Sequence, residues 1–134
     1  MILRIGSGIV NVKEINVLVL AYLGDSIYES YIRVFLINKK ISNVNDLQNK
    51  SIKYVSAKAQ SNILKNLIDN DYLTEEELDI VKKGRNYKCS RHPKNCDVIT
   101  YKHATALETL IGYLYFIKKI DRLDEIMNYI LKEE

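Results

Sequence analysis

Residues 17 to 35 form a helix-length stretch that is apolar on most sides and carries a glycine and an acid in its middle. Its sequence is VLVLAYLGDSIYESYIRVF. A helix that is apolar around most of its circumference is usually buried at the centre of a fold, and we expect that position here. Because glycine costs about 1 kcal/mol relative to alanine inside a helix, Gly24 indicates that another backbone passes close by. Asp25 must then be exposed, paired with a charge, or bound to a metal.

The remainder of the chain also favours helices. One proline and five glycines among 134 residues leave little room for a turn-rich β fold. Apolar residues recur at helical spacing in segments near residues 16–37, 44–69, 75–84, 101–118 and 121–131. The segment 44–69 is expected to break at Ser51 or a neighbouring residue. We predict an all-α fold of five or six helices, with residues 1–134 forming one domain and residues 1–11 loosely ordered.

Capping residues mark several helix ends. Asn16 is a suitable N-cap for the first helix. Thr74 followed three residues later by Glu77 is a capping box. Gly84 is expected to end the helix that begins there, because glycine is common just after a helix C terminus.

Net charge and cysteine content limit the class of protein. The chain has 20 Lys and Arg against 17 Asp and Glu, a net charge of +3 that is too small to argue for nucleic-acid binding by itself. Two cysteines without a secretory signal suit a reduced, cytoplasmic setting. No apolar run reaches the roughly 20 residues that span a membrane, because Asp25 and Glu29 interrupt the best one.

A second apolar helix repeats the combination of acid and glycine, in Glu108 and Gly112. If the glycines let the two helices cross closely, Asp25 and Glu108 approach each other. Two neighbouring carboxylates need a shared proton or a cation, and Mg²⁺ suits oxygen ligands. A Mg²⁺-bound water can then attack a phosphate ester. From spacing alone, ordinary ion pairs with Lys102 or Arg33 remain an equally good interpretation.

A basic segment precedes the apolar helix that carries Glu108, and it has no acid between Asp79 and Asp97. Its candidate RNA-binding residues are Lys82, Lys83, Arg85, Asn86, Lys88, Arg91 and Lys94. Such a loop can follow a phosphate backbone and release counterions. A solvated loop without a ligand is the alternative.

Two further patterns have weaker implications. Cys89, His92, Cys96 and His103 are potential zinc ligands, but their spacing matches no familiar zinc site, and free cysteines are the favoured interpretation. The tyrosines of the first helix fit a core, whereas an exposed tyrosine face would indicate a subunit contact.

Two motifs resemble the ribonuclease III family. LAYLGDSIYE at residues 20–29 resembles the signature helix of its endonuclease domain, and ATALETLIGYLY at residues 104–115 resembles its second acidic helix. The short chain, the GRN of residues 84–86, the PKN of residues 93–95 and Tyr101 are similar to the Mini-ribonuclease III subfamily.

The resemblance implies an all-helical, homodimeric endoribonuclease that cleaves double-stranded RNA with Mg²⁺ and lacks a separate double-stranded-RNA-binding domain. Asp25 and Glu108 match the two main catalytic carboxylates. The expected substrate is precursor large-subunit ribosomal RNA, with ribosomal proteins as possible partners. Gly24, Tyr22 and Tyr28 are expected at or near the dimer contact.

Three positions depart from full-length ribonuclease III. Leu18 and Ala21 stand where that family has Glu, and Thr105 stands where it has Asp. A metal would therefore have fewer protein ligands and more water here. The same departures support the alternative of a non-catalytic, ribosome-associated RNA-binding protein of the same fold. A helical protein-interaction module is the third possibility, and it predicts no salt-dependent RNA binding.

Overall fold

The computed structural model describes residues 10–87 and 96–132, and every regular element in these ranges is helical. A 3-10 turn at Val12–Glu14 precedes six α-helices: α1 (Val17–Asn38), α2 (Val44–Val55), α3 (Ala57–Asp69), α4 (Glu75–Asn86), α5 (Val98–Phe116) and α6 (Ile120–Ile130). The prediction of an all-α fold is confirmed.

Side-chain caps fix the starts of the helices that carry the acids. Asn16 accepts a hydrogen bond from the backbone N–H of Leu18 at the start of α1, as predicted. Asp97 caps α5 by accepting from the backbone N–H of Thr100 at 2.8 Å. The capping box of Thr74 and Glu77 is present in full at the start of α4.

The break between α2 and α3 lies at Ser56 rather than at the predicted Ser51. Ser56 has an extended backbone, and its side chain accepts a hydrogen bond from the backbone N–H of Ala59. A serine that caps the next helix competes with continuing the previous one, so the chain turns there.

Helix α5, rather than α1, occupies the centre of the fold, which corrects the expectation from the sequence. It packs against α1, α3, α4 and α6. Helix α1 buries only one face against it. Its other face leaves apolar side chains exposed, among them Val19 and Tyr22. The apolar residues on most sides of α1 therefore have two positions: one group is buried in the core, and the other is exposed on the surface of the chain.

Helices α1 and α5 cross at two glycines, as the sequence predicted. A Cβ atom added to Gly24 would lie 1.8 Å from the carbonyl oxygen of Glu108. A Cβ atom added to Gly112 would lie 1.9 Å from the carbonyl oxygen of Leu20. Neither distance is physically possible, so the crossing depends on glycine at both positions.

Gly84 does not end α4, contrary to the prediction. The helix continues to Asn86, and Gly84 is buried inside it. A Cβ atom there would lie 2.7 Å from the Thr109 hydroxyl oxygen and 3.0 Å from the Ala106 Cα atom on α5. The glycine thus serves the packing of α4 on α5 rather than helix termination.

Candidate active site

The crossing of α1 and α5 brings Asp25 and Glu108 together. Their side-chain carboxyls lie within hydrogen-bonding reach of each other. Asp25 directly follows Gly24, which lies against the backbone of Glu108. Asp25 is exposed, whereas Glu108 is half-buried beneath it. The predicted approach of the two acids is therefore present in the fold.

The surroundings of Glu108 favour its protonated form. Burial raises the pKa of Glu108 to about 8, and the hydrogen bond and the negative charge of Asp25 add to the rise. The side chain of Gln60 acts in the opposite direction, because it donates a hydrogen bond to the Glu108 carboxyl. At neutral pH, metal-free Glu108 therefore keeps a proton, and a cation would take the place of that proton.

The alternative of ordinary ion pairs finds no support in the described residues. Arg33 pairs with Glu29 at 2.7 Å, not with Asp25. Within residues 10–87 and 96–132, no salt bridge includes Asp25 or Glu108. The two acids thus face each other without a basic partner in this part of the chain.

The donor set of this pair fits Mg²⁺. The part of the chain that the structure describes contains no group of three or more His, Cys, Asp or Glu side chains placed to hold a metal. Mg²⁺ is commonly bound by only one or two carboxylates and keeps several waters. Asp25 and Glu108 offer that number of carboxylates.

Gln60 is a residue of this site that the sequence analysis did not identify. It lies on α3, and it is buried at 4% exposure. The available signal was its spacing, since Gln60 shares one helix face with the buried Leu64 and Leu67. A polar residue at a core position of a helix indicates a specific partner, which here is Glu108.

The basic segment begins at the end of α4. Lys82 and Lys83 lie in this helix, as predicted, and Arg85 and Asn86 also belong to it, which corrects their assignment to a loop. The first two and Asn86 are exposed, and Arg85 is half-buried with its Nε donating to Asn86 Oδ1 at 3.2 Å. The other candidates, Lys88, Arg91 and Lys94, lie outside the described residues.

Two basic side chains, one from α3 and one from α4, form a basic cluster with His103 near the start of α5. Burial lowers the pKa of His103, and the charges of Arg85 on α4 and Lys65 on α3 lower it further, whereas Asp97 opposes them. The His103 Nδ1 atom lies 3.5 Å from the Ser61 hydroxyl. The sequence did not indicate Lys65, because its proximity to His103 arises only when α3 packs on α5.

Comparison with known proteins assigns this arrangement to a family. The sequence-family model of the ribonuclease III domain matches residues 18–119 of this chain, a range that includes Asp25 and Glu108. The chain belongs to the ribonuclease III family. Membership confirms the resemblance, the fold and the prediction of an endoribonuclease.

Relatives within the ribonuclease III family cover most of this chain. Mini-ribonuclease 3 of Staphylococcus aureus is 42% identical over 90% of this chain and 90% of its own length. Mini-ribonuclease 3 of Brevibacillus brevis is 50% identical over 84% of this chain and 82% of its own length. A crystal structure of a protein from Fusobacterium nucleatum is 36% identical, covers 91% of this chain and 98% of that chain, and has a TM-score of 0.79.

The tyrosines of α1 divide between the core and the surface of this ribonuclease III fold. Tyr28 is buried, and its hydroxyl donates to the Tyr54 carbonyl oxygen at 2.7 Å. Gly24 is also buried, against α5, so neither residue itself presents a surface to a second chain, and their predicted position at or near a dimer contact stays a prediction. Tyr22 is 84% exposed and remains a candidate for that contact.

Two minor predictions for this family member concern zinc and membranes. The Cys96 thiol donates to the Asp97 carbonyl oxygen, and His103 contacts Ser61. Cys89 and His92 lie outside the described residues, so the preference for free cysteines over a zinc site stays a prediction. None of the described helices is long and apolar enough to cross a membrane.

Proposed function

We propose that this chain is a Mg²⁺-dependent endoribonuclease that cleaves double-stranded RNA, with Asp25 and Glu108 as its catalytic, metal-binding residues. The observation that carries the proposal is the contact between the two carboxyls, which have no basic partner among the described residues. The repulsion of two adjacent carboxylates makes the site a poor structural element and a good cation site.

The two acids have different roles because they differ in exposure. Asp25 is exposed and could contact both a metal and the RNA, whereas Glu108 is half-buried and would serve as a metal ligand. When bound, Mg²⁺ activates a water for in-line attack on a phosphodiester and stabilises the leaving 3′ oxygen. Such hydrolysis leaves 5′-phosphate and 3′-hydroxyl ends.

In this proposal, basic residues on α3 and α4 bind the RNA. Lys82, Lys83 and Arg85 lie on α4, and Arg85 shares the surroundings of His103 with Lys65 of α3. Duplex RNA is recognised mainly by shape and by contacts to phosphates and 2′-hydroxyls, which suits such a surface. Lys88, Arg91 and Lys94 of the adjoining segment extend it in our proposal.

The exposed face of α1 is our candidate for the homodimer contact. Besides Tyr22, this face exposes Val19, Val34 and Ile37, each by more than half. Several exposed large apolar side chains on one helix of a small protein favour an interaction site. Two protomers paired in this way would place two active sites on one RNA duplex.

The biological substrate in this proposal is precursor large-subunit ribosomal RNA in the cytoplasm, with ribosomal proteins as possible partners. The relatives named Mini-ribonuclease 3 favour catalysis over the alternative of a non-catalytic RNA-binding protein.

Incubation of the protein with a long RNA duplex, with Mg²⁺ and then with EDTA, tests the proposal. Asp25→Asn should lower cleavage more than about 100-fold, equivalent to about 2.7 kcal/mol, while leaving RNA binding intact. Asp69→Asn, an exposed aspartate on α3, is the matched control and should cleave normally. Full activity of Asp25→Asn would exclude the mechanism.

A further inference from the structure

Gln60 occupies a core position of α3 that would ordinarily hold an apolar residue. It is 4% exposed, and Leu64 and Leu67 on the same helix face are 1% exposed each. A buried amide loses its hydrogen bonds to water and therefore needs partners within the protein. No buried side-chain nitrogen or oxygen of the described residues lacks a partner. The burial of Gln60 thus depends on a specific polar neighbour.

That neighbour is the carboxyl group of Glu108. The Gln60 amide donates a hydrogen bond to it from α3, while Asp25 approaches it from α1. Glu108 therefore lies between a donor on one helix and a carboxyl on another. Among the described residues, Asp25 and Gln60 are the two side chains that form hydrogen bonds with this carboxyl.

We infer that Gln60 is a positioning residue, which holds the Glu108 carboxylate in the orientation needed to bind a divalent cation together with Asp25. The inference rests on the proposed function. The amide occupies one lone pair of the carboxylate and prevents rotation of the group, so the remaining lone pairs stay directed at the site. Removal of an outer partner of a metal ligand typically weakens metal binding about 10-fold to 100-fold.

Two substitutions remove the donor while keeping most of the side-chain volume. Gln60→Leu and Gln60→Met each leave Glu108 without its amide partner, and the flexible methionine repacks easily if the branched leucine does not. Mg²⁺ affinity of the RNA-free protein is measured by isothermal titration calorimetry. We expect it to fall by about 10-fold or more. The Mg²⁺ concentration for half-maximal cleavage should rise by the same factor, with cleavage largely recovered at saturating Mg²⁺.

A purely structural role for Gln60 predicts a different result. The unfolding free energy would change, but the folded protein would bind Mg²⁺ as the wild type does. Thr109→Val is the matched control, because Thr109 is fully buried on α5 and its hydroxyl donates only to the Thr105 carbonyl oxygen at 2.8 Å. We expect its Mg²⁺ affinity to be unchanged.

Asp25→Asn separates this inference from the proposed function. Loss of Mg²⁺ binding in Asp25→Asn together with wild-type affinity in the Gln60 variants would overturn the role of Gln60 alone. Retained Mg²⁺ binding in Asp25→Asn would overturn both the metal site and the positioning role. Weakened binding in Asp25→Asn and in either Gln60 variant, with Thr109→Val unaffected, supports the inference.

Discussion

Gly24 lies directly against the backbone carbonyl of Glu108, and this contact determines how near the two candidate catalytic acids come. Asp25 is the next residue after Gly24, so the position of one acid is tied to the backbone of the other. Any atom inserted between the helices would separate the carboxyls as well as the core.

Gly24→Ala should therefore destabilise the protein strongly. Its Cβ would lie 1.8 Å from a backbone oxygen, which no side-chain rotation relieves. We expect the free energy of unfolding to fall by at least ~2 kcal/mol, although alanine is the better helix former. Urea denaturation measures the change. Lys58→Ala, at an exposed position of α3, should stay within about 0.5 kcal/mol of the wild type. Equal stability of the two variants would contradict the close crossing.

The raised pKa of Glu108 predicts a pH dependence of stability in the absence of metal. This pKa is about 8 in the folded protein, against an ordinary 4.5. Between these values the folded state keeps a proton that the unfolded state has lost, so stability falls as pH rises through this window. The side chain of Glu108→Gln stays neutral at every pH. The unfolding free energy of this variant should therefore fall less steeply with pH than that of the wild type. Urea denaturation in EDTA between about pH 5 and pH 8 compares the two proteins, and identical slopes would refute the assignment.

Mg²⁺ binding should release a proton near neutral pH. The metal favours the ionised form of Glu108, whereas the metal-free protein holds the proton. Calorimetric titration with Mg²⁺ in buffers of different ionisation enthalpy should give different apparent heats. Heats that do not depend on the buffer would show that Glu108 is already ionised before the metal binds.

The basic cluster around His103 should contribute to RNA affinity through phosphates. Lys65→Gln and Arg85→Gln, each made together with Asp25→Asn to prevent cleavage, should each lower the slope of log affinity against log salt by about 1. Filter binding of an RNA duplex at several salt concentrations gives the slope. Lys53→Gln, an exposed lysine on α2, is the control. If the salt dependence of RNA affinity is unchanged in Lys65→Gln, Lys65 of α3 does not contact the RNA.

The exposed face of α1 should determine the oligomeric state. Tyr22→Asp places a charge on a side chain that is 84% exposed in one chain, so it should leave the fold intact and weaken the dimer. Sedimentation velocity detects the shift to monomer. Ile68→Asp, at a position 39% exposed on α3, makes the same change in charge away from α1 and should remain dimeric. If Tyr22→Asp is still a dimer, the dimer contact does not lie on this face of α1.

Local signals in the sequence were enough to predict several features of the fold and site. The capping box of Thr74 depends on residues a few positions apart, and its hydrogen bonds form as expected. Gly24 and Gly112 predicted a helix crossing, because glycine inside an apolar helix is costly unless a second backbone approaches. The meeting of Asp25 and Glu108 followed from that crossing.

Features that depend on packing between distant helices were not predictable in this way. The central position of α5 depends on which helix the others cover, and apolar content alone favoured α1. Gln60 and Lys65 gain their neighbours only when α3 packs on α5. Gly84 was mispredicted for the same reason. Its position near the end of a helix suggested that it ends the helix, and only its packing against α5 shows its actual role.

The central position of α5 has a practical consequence for inhibitor discovery. Glu108 lies on the helix against which α1, α3, α4 and α6 all pack, so its site with Asp25 exists only in the folded chain. A compound that binds this site, and not the unfolded chain, raises the free energy of unfolding. Melting temperature should then report occupancy of the site directly, and a compound library can be screened by dye fluorescence without preparing any nucleic acid.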